Sequence, residues 1–220
     1  MVFHIITIFP DIFSSYFNQS IIKRAQMSGI IKIKIYNLRD WTEDKHKTVD
    51  DAPYGGGAGM VIKIEPLYRS IMDIKERIKS GSVKTVLLSA KGKTWNQKLA
   101  HVYSHLDHVI LICGRYEGVD ERILNFVNEE ISIGDYVLTG GEIPAMVIVD
   151  SVTRLLPGVL GNAESLRDES HSSPGYLSTP QYTRPEVFVD NNGRKYSVPK
   201  ILLSGNHEEI KKWRRAKSKN

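Results

Sequence analysis

The spacing of apolar positions changes several times along the chain, and those changes mark out its elements. Residues 2–9, VFHIITIF, form a β-branched and aromatic run stopped by Pro10-Asp11, which predicts a buried first strand. Ile12, Phe13, Tyr16, Phe17, Ile21 and Ile22 then recur on one broad face, predicting a helix over 11–28 that Gly29 ends. In 31–36, Ile31, Ile33 and Ile35 alternate with lysines, the pattern of a strand with one wet face. The later periods predict a helix at 65–79, a strand at 84–89 ending in Ser89-Ala90-Lys91-Gly92, a helix at 95–105 and a strand at 108–112. A further helix, 144–156, opens at Pro144, because proline suits a first helical turn. Strands alternating with helices predict an α/β fold, a mostly parallel sheet covered on its faces. Ligands of such sheets sit outside the carboxyl ends of the strands. Here those ends are Leu87-Leu88-Ser89, Cys113-Gly114-Arg115 and the Ile133-Gly134 region.

Two stretches break the pattern. Residues 37–60, NLRDWTEDKHKTVDDAPYGGGAGM, are polar and glycine-rich and read as a long loop with no element of its own. No Lys-Ser or Lys-Thr follows Gly55-Gly56-Gly57-Ala58-Gly59, so it is not a P-loop. Residues 161–180 are polar without any apolar period and read as an interdomain linker. The tail offers a hairpin around Asn191-Asn192-Gly193 and a closing helix from about 207. The expected organisation is therefore a catalytic domain over 1–160, a flexible linker over 161–175 and a small domain over 176–220.

Composition narrows the class. The chain has 220 residues, 41% hydrophobic and 25% charged, which suits a globular protein with one sizeable core. No apolar run is long enough to span a bilayer, and the N-terminus lacks a basic region and a cleavage site. The expectation is a cytoplasmic protein without a membrane partner. One cysteine, Cys113, excludes an internal disulfide and fits a reducing compartment. The net charge of +5 is weak support for a polyanionic partner. The last ten residues, KKWRRAKSKN, are strongly cationic around one tryptophan: either a solvated helix end or a contact with nucleic acid.

Candidate chemistry centres on 113–150, which holds Gly114, Gly118, Gly134, Gly140 and Gly141 between apolar runs. Glycines at that density mark either tight turns of an α/β protein or a backbone-lined pocket for a small polar ligand. Cys113 lies between an apolar strand and Gly114 and reads as a packing residue rather than a nucleophile. The histidines have no zinc-ligand spacing, and neither G-x-S-x-G nor a dinucleotide G-x-G-x-x-G is present. What remains is a set of loop charges, Asp50, Arg115, Glu117, Arg154, Asp168, Glu169 and Arg184. Carboxylates with arginines at glycine turns suit proton abstraction with anion stabilisation, although loop charges are usually only solvated.

Six motifs together carry a resemblance: DDAPYGGGAGM at 50–60, LLSAKGK at 87–93, CGRYEGVDER at 113–122, ISIGDYVLTGGEIPAMVIVDSVTRLLPGVLG at 131–161, PQYTRPE at 180–186 and LLSGNHEEIKKWR at 202–214. In register from about residue 1 to 214, the chain resembles the bacterial tRNA (guanine-N1) methyltransferases that modify guanosine 37. The resemblance implies a SPOUT-type parallel sheet with a deep trefoil knot, a small helical C-terminal domain that binds tRNA, and a homodimer with active sites shared between subunits. It implies S-adenosylmethionine held by Leu87, Leu88, Ser89, Gly114, Tyr116, Glu117, Ile133, Gly134, Asp135, Tyr136, Val137, Leu138, Gly140, Gly141 and Pro144.

The resemblance also implies a linker carboxylate as general base, with Arg154 stabilising charge on guanine O6. Where the family has Asp followed by Ser and Phe, this chain has Glu169-Ser170-His171, with Asp168 just before and one extra residue near Pro174. Glu169 and Asp168 are thus both candidates. The chain stops at KKWRRAKSKN, shorter than many members, so part of the helical domain is expected to be missing. A Mg²⁺ requirement is left open. The competing class is a non-catalytic RNA-binding module on a degenerate methyltransferase fold, which a cofactor-binding assay distinguishes.

Overall fold

In the computed structural model, which describes residues 1–161 and 169–218, the chain divides into two units, residues 1–161 and 162–220. The first unit is built on five parallel strands: β1 Val2–Thr7, β2 Lys32–Asn37, β5 Val83–Thr94, β6 His108–Cys113 and β7 Glu129–Ser132. Between β2 and β5 lies a minimal antiparallel ladder of β3 Asp50–Asp51 and β4 Val61–Ile62. The sheet order is β2-β1-β6-β5-β7. β2 at one edge keeps Lys32 and Lys34 exposed and Ile33 and Ile35 half-buried, as its alternation predicts.

Both faces of the sheet are covered, and strict alternation along β1 shows why. Phe3 and Ile5 join one core, with Ala145, Ile148, Val149 and Val152 of the helix Glu142–Thr153; Ile6 joins the other, with Leu67, Ile71 and Ile74 of the helix Ile64–Arg77. β6 does the same with Val109 and Leu111 against Ile110 and Ile112. A parallel strand buried on both sides needs such an unbroken apolar run. In chain order the helices are α1 Ser14–Phe17, α2 Ser20–Met27, α3 Ile64–Arg77, α4 Gln97–Tyr103 and α5 Glu142–Thr153. Among the described residues, no helix is long and apolar enough to cross a membrane.

Three sequence expectations change. The helix over 11–28 is broken: a 3₁₀ turn at Pro10–Phe13 runs into α1, and α2 starts afresh at Ser20, whose φ of 46° lies outside helical space. Its apolar face is real, but two short helices share it. The loop over 37–60 is not featureless, since it contains a 3₁₀ turn at Leu38–Trp41 and, through Asp50–Asp51, one side of the β3–β4 ladder. The strand expected to end at Ser89 continues to Thr94. After Leu88 it bulges out of register with β7, then re-pairs Lys93 with Ile131 and Thr94 with Ser132. Gly92 makes the bulge feasible, because a Cβ there would lie 2.4 Å from the Ile131 nitrogen.

Beside β1, the buried His4 ring contacts the Tyr36 hydroxyl (3.0 Å) and His108 Nδ1 (3.2 Å). Burial, reinforced by His108 and Lys34, lowers the His4 pKa to about 4.

The second unit contains a hairpin of β8 Val187–Val189 and β9 Lys195–Ser197, the short helix α6 Lys200–Leu203 and the closing helix α7 His207–Lys217. Residues 169–178 fold back on themselves through His171 N–H to Tyr176 O (2.7 Å) and Ser178 N–H to Ser170 Oγ (3.0 Å). Among the described residues this unit has no buried apolar side chain, and Phe188, Val189, Tyr196 and Leu203 are exposed.

Candidate functional site

The bulged middle of β5, the turn after β6, and the end of β7 with the segment after it converge on one cavity of about 300 Å³. One wall is Leu87 to Lys91, a second is Gly114 to Val119 with Glu121, and the third runs from Glu130 through Gly134 and from Tyr136 to Gly141, closing at Pro144. β6 and β7 contribute their carboxyl ends, where open α/β sheets place ligands, and β5 contributes the bulge just past its last pair with β6, Leu88–Cys113. Of the residues assigned to a cofactor by resemblance, Asp135 alone is outside the wall; it is exposed.

A buried ionic brace ties two of these walls to the end of β1. Glu142, at the start of α5 and 2% exposed, accepts from the Thr7 hydroxyl (2.8 Å) and from Arg115 Nε (3.0 Å). The Arg115 guanidinium also lies over the Phe9 ring, 4.6 Å from its centroid. The end of β1, the turn after β6 and the head of α5 are therefore held by one carboxylate. Arg115 thus serves as structure, where the sequence suggested a reactive loop charge. Glu142 was not singled out from the sequence; its signal was an acidic residue in the first turn of a helix directly after Gly140-Gly141.

The backbone itself forms the rest of the frame. Gly141 N–H donates to Gly114 O (2.9 Å), and Arg115 and Gly140 form an isolated bridge. A Cβ on Gly141 would lie 2.6 Å from Cys113 Cα, so the two segments lie side by side at main-chain contact distance. Tyr116 adopts φ 60°, rare for a residue with a side chain, in the turn closed by Gly118 N–H to Arg115 O (3.0 Å). Held conformations of this kind concentrate at ligand sites.

The polar inventory sorts into groups. Lys91, Glu117, Glu121 and Glu130 border the cavity, and of these the sequence singled out Glu117 alone as a cofactor residue. Cys113 is buried, and burial first, then the Glu142 charge, pushes its thiol well above the usual range, so it packs rather than attacks. Asp50 belongs to β3. Arg154 caps the end of α5, with its N–H on Asp150 O (3.2 Å). Glu169 and Arg184 are in the second unit, and Asp168 lies outside the described residues. Among the described residues, no cluster of three or more His, Cys, Asp or Glu is arranged to hold a metal ion.

An apolar patch adjoins the frame. Phe9, Ile12 and Tyr16, with Ile143 and Val147 of α5, are all more than a third exposed. The Tyr16 hydroxyl donates to Asp150, which, with burial, raises the phenol pKa to about 12.

Comparison with known proteins agrees with this architecture. The family described as tRNA (Guanine-1)-methyltransferase TrmD matches residues 1–220. A tRNA (guanine-N(1)-)-methyltransferase of Dictyoglomus turgidum is 58% identical over 211 residues, covering 96% of this chain and 82% of the relative. Proteins of the same name from Clostridioides difficile and Citrifermentans bemidjiense are 50% and 53% identical, over 99% and 98% of this chain and 92% and 84% of their own lengths. The chain belongs to this family.

Proposed function

We propose that this member of the tRNA (guanine-N1)-methyltransferase family transfers a methyl group from S-adenosylmethionine to N1 of guanosine 37 in tRNA. The observation that carries the reading is the cavity bounded by the bulge of β5 and by the glycine-bearing turns after β6 and β7, in a chain matched to the family along its whole length. The cavity suits the cofactor in kind. Leu87, Leu88, Ile133 and Leu138 supply apolar wall, while the turns at Gly114 and Gly140-Gly141 bring main-chain groups close to a ligand. The cofactor supplies an electrophilic methyl on a sulfonium.

The rest of the chemistry falls to side chains. Guanine N1 is a poor nucleophile while it carries its proton, so a carboxylate must take that proton from N1. Glu169 is assigned this role, with Asp168 as the neighbouring candidate. Negative charge then gathers on O6, where the Arg154 guanidinium donates hydrogen bonds without titrating.

A homodimer is part of the proposal, with Phe9, Ile12, Tyr16, Ile143 and Val147 as the apolar face that a second copy would cover. So is the trefoil knot, which the family resemblance implies and with which the close antiparallel pairing of the 113–115 and 140–141 segments is compatible. The second unit, with its exposed apolar hairpin and the cationic α7, is proposed to bind tRNA as a C-terminal domain in the cytoplasm.

Single-turnover methylation of a tRNA transcript tests the chemistry. Glu169→Gln should retain cofactor binding and lose about 10²-fold or more in rate, the usual scale for a positioned base, and Arg154→Ala should behave similarly. An active Glu169→Gln with a dead Asp168→Asn moves the base by one residue; activity in both removes the linker carboxylate from the mechanism. If the wild-type chain binds cofactor and tRNA but transfers no methyl, the RNA-binding-module reading replaces this one.

A further inference from the structure

Tyr54 is fully exposed (102%), more so than any other exposed large hydrophobic side chain among the described residues. A lone aromatic on a surface is ordinary. What sets this one apart is how firmly its segment is tied to the cavity. β3 and β4 pair at the base of the segment, and Lys63 N–H donates to Val49 O (2.8 Å) just outside them. The returning side then bonds to the cavity wall: Glu117 N–H to Met60 O (3.0 Å), Ile62 N–H to Gly118 O (3.0 Å) and Asp120 N–H to Ile62 O (2.9 Å). Gly59 presses so closely on the wall that a Cβ would sit 2.7 Å from Glu117 Cγ.

At the tip, Gly56 N–H donates to Pro53 O (3.3 Å), closing a turn with Tyr54 second and Gly55 third. Gly55 has φ +85°, the value the third position of a type II turn requires. The ring is thus carried at the head of a turn whose base is bonded to the cavity wall.

We infer that Tyr54 is a substrate-positioning residue whose ring stacks on a base adjacent to the target guanine, at the mouth of the cavity. The inference rests on the reading of the cavity as a site of methyl transfer to tRNA. A guanine whose N1 must reach an enclosed methyl donor leaves its stack, and its neighbours lose a stacking face. An aromatic ring replaces that face without regard to sequence, because every base has a π-surface. The phenol hydroxyl is not needed for this, so phenylalanine should serve.

The test uses the full-length chain, a tRNA transcript and the variants Tyr54→Ala and Tyr54→Phe. Tyr54→Ala should raise KM for tRNA by roughly 5- to 100-fold, the span of one lost base–aromatic stack. Its kcat should change much less, and calorimetric affinity for S-adenosylhomocysteine should not change. Tyr54→Phe should match wild type. In transcripts with 2-aminopurine next to the target guanine, on either side in turn, fluorescence at one position should be quenched by wild type and Tyr54→Phe but not by Tyr54→Ala. A wild-type KM in Tyr54→Ala overturns the inference, as does a loss that Tyr54→Phe fails to rescue. A wild-type chain that leaves the transcript unmethylated overturns the functional reading itself, and this inference with it.

Discussion

Two glycines of the cavity frame should respond oppositely to the same added methyl group. At Gly114 an added Cβ would meet Leu88 O at 3.5 Å and Val119 Cγ1 at 3.6 Å, ordinary contact distances, and its φ is outside the left-handed region. Gly114→Ala should therefore leave the fold intact, or stabilise it by about 0.4–1 kcal/mol by restricting the unfolded chain. Leu88 and Val119 both line the cavity, so the methyl occupies ligand space. Overpacking of that size costs about 1–3 kcal/mol, roughly 5- to 150-fold in Kd for a ligand filling the site.

At Gly141 the nearest atoms are main chain, Cys113 Cα at 2.6 Å and Gly114 N at 3.0 Å. Neither can swing aside as a side-chain tip would, so Gly141→Ala should cost about 3 kcal/mol or more of folding stability. For a chain of this size that lowers Tm by roughly 6–12 °C. Calorimetric titration with S-adenosylhomocysteine and thermal melting separate the two effects. Unchanged affinity in both Gly114→Ala and the bulkier Gly114→Leu would refute the cavity as the cofactor site. A melting loss in Gly114→Ala as large as that of Gly141→Ala would refute the steric argument.

Breaking the brace by Glu142→Ala leaves Arg115 without its buried partner and should cost about 3–5 kcal/mol in urea unfolding, whereas the exposed pair Lys91–Glu121 should be worth under about 1 kcal/mol. His4 folds neutral with its pKa lowered to about 4, so its contribution is complete above its ordinary value of 6.5 and is lost as pH falls from there towards 4. Unfolding at pH 7.5 and pH 5 should differ by up to about 2 kcal/mol from this group, and His4→Gln should flatten that slope. Deleting 211–219 should reduce the slope of log Kd for tRNA against log salt while leaving cofactor affinity alone; an unaltered slope identifies the tail as a solvated helix end.

The elements that were legible in the sequence are those whose residues alternate against two cores. β1, β2, β6 and α3 follow from apolar spacing, because local period and tertiary burial agree there. The misreadings occur where tertiary contacts override local signals. Ser89-Ala90-Lys91-Gly92 looks like a strand end, yet the chain returns to pair with β7, which lies about forty residues on and leaves no trace in the local pattern. Likewise nothing between 37 and 60 announces a ladder, since two-residue strands have no period.

The candidate site was legible in a different way. Its glycines are visible, but composition cannot say whether a glycine serves a turn, a backbone contact or an opening. Gly92, Gly141 and Gly114 differ in this way: the first lets β5 lie against β7, the second lets two loops pack backbone to backbone, and the third leaves the cavity open. Only an alignment of backbone neighbours in space separates them. Glu142 makes the complementary point for charge. A lone acidic residue at a helix start reads as a favourable helix end, yet here it faces inward, because Thr7 and Arg115 arrive from strands far away in sequence to satisfy both its oxygens. The same carboxylate that orders the frame is thereby buried behind the cavity wall, of which it forms no part, and acts on a ligand only through the backbone it holds in place.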